Sequence, residues 1–151
     1  MTRLEIYCDG GCRGNQSDAN LGGWGVYLVW GEHGRELYGG ERDTTNNKME
    51  LTAAIEGLRA IRNKTVPTDV YLDSAYVLNG ITSWIDGWRQ KGWVNSKKQP
   101  VANKELWLAL DEERHKFADI SFHKVKGHAD NAGNIRADEL ANRAMDELEA
   151  G

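Results

Sequence analysis

The stretch RLEIYCD, Arg3–Asp9, sets apolar Leu4, Ile6 and Cys8 against Glu5 and Tyr7, and it closes on an acid. Alternation with period two is the mark of a strand with one buried face. Gly10-Gly11 is expected to end it. A second short apolar run, Val70–Leu72, follows Pro67 and also closes on an acid, Asp73. Whether these two runs are parallel neighbours decides the fold.

Outward from Asp9, the polar loop Arg13–Asn20 leads to Gly22–Trp30, rich in Val, Tyr and Trp and read as a second strand. Gly31–Gly34 turns the chain, and Arg35–Gly40 reads as a third strand of an antiparallel meander. Thr45 or Asn46 can cap a helix running to about Ile61, with Leu51, Ala54, Ile55, Leu58 and Ile61 as its stripe. After the strand Val70–Leu72, Ala75 to about Lys91 reads as a helix in two pieces, broken near Gly80. Lys104–His115 is a further helix with Leu106, Leu110 and Trp107 inward. Asp119–Lys124 is a strand, and Ile135–Leu148 a last helix with Ala137, Ala141, Ala144 and Leu148 inward. This order predicts an α/β fold: a mixed five-stranded sheet with helices on both faces. A right-handed crossover would join the third strand to the fourth. The first strand then has an antiparallel neighbour on one side and a parallel one on the other. Strand order reverses there, which is where open α/β sheets place their sites.

The 151 residues suit one domain over 1–151 that needs no disulfide or structural metal to be stable. Hydrophobic residues at 40% and charged residues at 28% exclude a disordered chain and a membrane protein. Met1–Asp9 carries no secretory signal pattern. Two cysteines, Cys8 and Cys12, are too few for a disulfide scaffold and point to a reducing, cytoplasmic setting. The net charge of −4 argues against a polyanionic partner only when read globally. Between Gly87 and Lys104 stand five basic residues, Arg89, Lys91, Lys97, Lys98 and Lys104, and no acid. Phosphate contacts are local, so this stretch can still bind a nucleic acid.

Four acids sit where solvation alone would not put them. Asp9 and Asp73 end strands whose axes, if adjacent, are about 4.8 Å apart. Glu50 and Asp138 border the small-residue sides of their helices. Clustered carboxylates repel one another unless a cation joins them. Oxygen-only ligands suit Mg²⁺, Mn²⁺ or Ca²⁺ rather than zinc. The plain alternative is four solvated acids at strand and helix ends.

Six blocks in order make the chain resemble type 1 ribonuclease H: YCDGGCRGN (Tyr7–Asn15), TTNNKMEL (Thr44–Leu51), YLDSAYVLNGI (Tyr71–Ile81), WRQKGW (Trp88–Trp93), VKGHADNAGN (Val125–Asn134) and ADELAN (Ala137–Asn142). The resemblance covers essentially the whole chain and implies sheet order 3-2-1-4-5. It implies an endonuclease that cuts the RNA strand of RNA–DNA hybrids by a two-metal-ion route, leaving 5′-phosphate and 3′-hydroxyl ends. By position, Asp9, Glu50, Asp73 and Asp138 match the family's catalytic, metal-binding acids. The cofactor implied is Mg²⁺, with Mn²⁺ as a substitute, as two ions when substrate is bound. His128 matches the catalytic-loop histidine. Asn15 and Asn46 would face the RNA minor groove, and Thr45 and Asn47 would hold a phosphate of the DNA strand. Residues 87–104 match the basic protrusion of some members, with Trp84, Trp88, Trp93, Lys97 and Lys98 as substrate contacts. A monomer without an obligate protein partner or a membrane is expected.

Three departures stand out: Gln16-Ser17-Asp18-Ala19-Asn20 in place of a shorter turn, Ala75 in place of a glutamine that touches RNA, and Ala137 in place of a cysteine. Two rival readings stand beside this one, the first of them on the same fold. One is a DNA-cleaving or strand-transferring nuclease, and the other a hybrid-binding module without catalysis.

Overall fold

The computed structural model describes residues 2–14, 20–125 and 131–151. Its element order is β1 (Leu4–Arg13), β2 (Leu21–Trp30), β3 (His33–Arg42), α1 (Asn46–Arg59), β4 (Thr68–Leu72), α2 (Ala75–Asn79), a π-helical turn (Gly80–Trp84), α3 (Ile85–Gln90), α4 (Lys104–Arg114), β5 (Ile120–Lys124) and α5 (Ala132–Ala150). The strands form one sheet of order β3-β2-β1-β4-β5. β1 pairs antiparallel with β2 and parallel with β4, as the two acid-terminated runs require. Tyr7, Tyr71 and His123 stack in a row across β1, β4 and β5, with ring centroids 4.9 and 5.2 Å apart.

Period-two burial assigns the two faces. Leu4, Ile6 and Cys8 of β1 point to the side covered by α1 and join Val26, Leu51, Leu58 and Val70 in the main core. Trp107 and Leu110 of α4 are fully buried in the same core, while Leu106 is only half-buried. α5 covers the other face of β1–β3, laying Ala137, Leu140 and Ala141 onto the glycines at 23 and 25 of β2. Leu140 and Met145 take inward places on α5, whereas Leu148 is only half-buried.

Several boundaries differ from the sequence reading. Gly10-Gly11 does not end β1, because both residues keep pairing, Gly10 with Trp24 and Gly11 with Gly23. The meander turn is tighter than expected: Trp30 pairs with His33, leaving Gly31 at φ +60° and Glu32 as the two-residue loop. α1 stops at Arg59, and α5 starts earlier, at Ala132, because the Asn131 side chain accepts the Asn134 N–H and caps it. The expected break near Gly80 is instead a continuous path through one π turn. A Cβ at Gly80 would lie 2.0 Å from the Trp107 ring, so only glycine lets the chain pass there.

Candidate active site

Asp9 and Asp73 come together through register. Cys8 pairs with Leu72, so the next residue on each parallel strand is an acid at the same sheet edge. Asp9 is 6% exposed and its Oδ1 accepts the Gly10 N–H at 2.9 Å. Asp73 is exposed, just past the end of β4. Glu50 reaches the site because α1 lies against β1 at Gly10. A Cβ there would stand 2.5 Å from the Met49 carbonyl carbon and 2.6 Å from the Glu50 nitrogen. Asp138 arrives from the opposite face on α5, where its carbonyl oxygen accepts an Asn142 Nδ2–H at 3.0 Å.

These carboxyl groups are close enough to act on one another: Asp138 and Asp73 act on Asp9, and Asp9 and Asp73 act on Glu50. Burial and the Asp138 carboxyl push Asp9 up to about 7. Burial and Asp9 push Glu50 up to about 9. Among the described residues, no three His, Cys, Asp or Glu side chains already stand at metal-ligand spacing. Asp9 and Glu50 are instead held towards their protonated forms, as crowded, buried carboxyls are without a cation. An all-oxygen donor set drawn together under this strain fits a hard divalent ion.

Thr45 caps α1, its Oγ1 accepting the Lys48 N–H at 3.1 Å, and Asn46 and Asn47 stand exposed on the first turn. Asn46 borders a cleft of 210 Å³ that runs from Asp9 and Asp138 to Asn142 and Arg13. Arg13 holds the end of β1 to α5 through Asp146 at 2.7 Å and Glu149 at 3.1 Å. Trp84 is 40% exposed. Trp88 packs between Trp84, Trp93 and Trp107, with centroids 5.9, 6.0 and 5.3 Å away. Lys97 and Lys98 are exposed on the loop that follows, where the Asn95 side chain accepts the N–H groups of Lys97 and Gln99.

Arg89 departs from the sequence reading. It is ion-paired with Asp111, an acid 2% exposed that also holds Arg114 at 2.7 Å. One charge of the basic stretch is therefore neutralised by a buried acid, although Arg89 itself is exposed. Two residues at the site escaped the sequence reading: Arg13, and Lys124, which touches Asp73. Strand pairing, known only once the fold is known, is the signal that finds Lys124. Asn15 and His128 lie outside the described residues.

A family model described as RNase H matches residues 1–146. The chain belongs to the RNase H family. Ribonuclease H of Saccharopolyspora erythraea is 51% identical over 144 residues, covering 95% of this chain and 91% of that one. Ribonuclease H of Brucella anthropi is 50% identical over 153 residues, covering 100% and 95%. The crystal structure of LC9-RNase H1, a type 1 RNase H with the type 2 active-site motif, aligns with a TM-score of 0.84 at 30% identity, over 97% of this chain and 74% of that one. Within that family the chain groups with the type 1 members. The family's reaction is endonucleolytic cleavage of RNA in RNA–DNA hybrids by a divalent-metal-dependent route. No described helix of this RNase H is long and apolar enough to cross a membrane.

Proposed function

We propose that this ribonuclease H hydrolyses the RNA strand of RNA–DNA hybrids with Asp9, Glu50, Asp73 and Asp138 as its catalytic acids. The supporting observation is that β1, α1, β4 and α5 each deliver one carboxylate to the same sheet edge. All four would hold Mg²⁺, with Mn²⁺ as a substitute, as two ions when substrate is bound. Bound there, these ions supply water activation and stabilisation of the leaving oxygen.

The chain's own residues set the conditions for that chemistry. Asp9, fixed by the Gly10 N–H and electrostatically linked to both Glu50 and Asp138, would be the central ligand. Asp73, at the exposed rim, is the acid best placed to meet a substrate phosphate. Hydrolysis breaks the bond between phosphorus and the 3′ oxygen, leaving 3′-hydroxyl and 5′-phosphate ends. His128 would assist proton transfer or product departure from its loop.

Asn15 and Asn46 would read ribose 2′-hydroxyls, because an amide both donates and accepts. Thr45 and Asn47 stand at the N-terminal end of α1, where the helix dipole favours a DNA-strand phosphate. Trp84 offers an exposed ring face, and Lys97 and Lys98 offer exposed charges, to the DNA backbone. Trp88 and Trp93 would act chiefly by holding that surface together. The unit is a single catalytic domain acting as a monomer.

The test is cleavage of a labelled hybrid by the parent and by Asp73→Asn, with and without Mg²⁺, beside duplex DNA and duplex RNA. Cutting of the hybrid alone, abolished by the substitution with binding retained, is expected. Near-normal turnover by the variant, or a preference for duplex DNA, refutes the reading.

A further inference from the structure

Among the described residues, one cation makes ion-pair contact with the four acids: Lys124. β5 runs parallel beside β4 with Lys124 opposite Leu72, and the pairing continues one step further as Val125 N–H donates to the Leu72 carbonyl at 3.0 Å. This register sets the Lys124 side chain level with the residue after Leu72, which is Asp73. Its Nζ donates to the Asp73 carbonyl oxygen and lies 3.8 Å from Asp73 Oδ1. One ammonium group thus touches both the backbone and the carboxylate of the most exposed acid in the cluster.

Such a lysine has two opposed effects on a divalent cation held by Asp73. Fixing the Asp73 backbone favours capture, while the fixed positive charge opposes it. Lys124 and Asp73 are 47% and 44% exposed. A backbone hydrogen bond at that exposure competes with water and contributes little net. Repulsion by the ammonium scales with the ion's charge and is doubled for a divalent ion. The electrostatic effect therefore outweighs the positional one.

We propose that Lys124 is a resident counter-charge that weakens divalent-ion binding by the free enzyme, so that firm loading awaits the phosphates of the hybrid. Substrate phosphate brings the negative charge that offsets the ammonium, and Mg²⁺ commonly shares its sites with such phosphates. This rests on the reading of Asp73 as a metal ligand.

The experiment titrates the metal-free full chain with MgCl₂ in a calorimeter, without nucleic acid, and reads the MgCl₂-induced rise in melting temperature in parallel. The chains compared are the parent, Lys124→Met, Lys124→Gln, Lys124→Arg and Asp73→Asn. The two neutral variants are expected to bind Mg²⁺ about fivefold more tightly than the parent. Lys124→Arg should match the parent. In hybrid cleavage, the Mg²⁺ concentration for half-maximal rate should fall in the neutral variants while KM for the hybrid stays put. Neutral variants that bind Mg²⁺ no more tightly than the parent overturn the inference, as does an arginine variant that behaves like methionine. Asp73→Asn separates the two claims. If it binds Mg²⁺ like the parent, the reading of Asp73 as a ligand fails. If it loses Mg²⁺ while the Lys124 variants are unmoved, only the role of Lys124 fails.

Discussion

Burial and the neighbouring Asp9 carboxyl of β1 hold Glu50 of α1 far above the usual carboxylate range, so Glu50 keeps its proton at neutral pH. The metal-free site is thus a place where the folded chain holds protons that the unfolded chain would release.

That gives a pH dependence of stability with a definite sign. Asp9 is pushed up to about 7 and Glu50 up to about 9, against unfolded values of about 4. Between those limits the native state binds more protons than the unfolded one, so stability falls as pH rises. Chelator-treated protein should melt at its highest temperature near pH 5 and lose stability steadily towards pH 9. Added Mg²⁺ should flatten the high-pH side, because it replaces the proton as the partner of the acids. A melting temperature that rises across this range without metal would contradict the assignment.

Glu50→Gln should separate stability from activity. The amide removes a half-buried acid that is costly to ionise, so the metal-free variant should gain about 1 kcal/mol at pH 8. Cleavage of the hybrid should fall by at least about a hundredfold. Urea denaturation and a hybrid assay on the same preparation check both halves.

Gly10→Ala tests the approach of α1 to β1. Its new Cβ would meet peptide atoms of Met49 and Glu50 rather than a side chain that can swing away. A cost of about 1–3 kcal/mol is expected. Activity should drop further than stability predicts, because Glu50 is displaced from Asp9. Full activity in a folded variant would show that the close approach is dispensable.

Arg89 and the Lys97–Lys98 pair should behave differently although all lie in one basic stretch. Arg89→Ala leaves the buried Asp111 short of a partner and should lower the melting temperature. Replacing Lys97 and Lys98 with alanine should leave the melting temperature alone, raise KM for the hybrid and flatten its salt dependence. Thermal melts and KM at two salt concentrations tell the two effects apart.

Much of this was legible in the linear chain, and the misses share a cause. Strand alternation around Leu4, Ile6 and Cys8 located β1, and the acids at Asp9 and Asp73 located the sheet edge, because a period of two is a local signal. Gly10-Gly11 misled as a strand terminator: both residues stay in the ladder, and Gly10 is there for the close passage of α1, a tertiary demand. Gly80 misled in the same way, since its reason is the Trp107 ring on a distant helix. Arg89 and Lys124 were illegible as to role. Each is defined by a partner that the topology supplies, a buried acid on α4 for one and a neighbouring strand end for the other.

The acids come from four separate elements, and the last in chain order, Asp138, sits on a nineteen-residue helix that must lie down across β1, β2 and β3. A growing polypeptide still tethered to its ribosome before that helix emerges would hold three of the four carboxylates and, on the proposed reading, could not yet cut a hybrid. Catalytic competence would then arrive in one step, when the final segment docks.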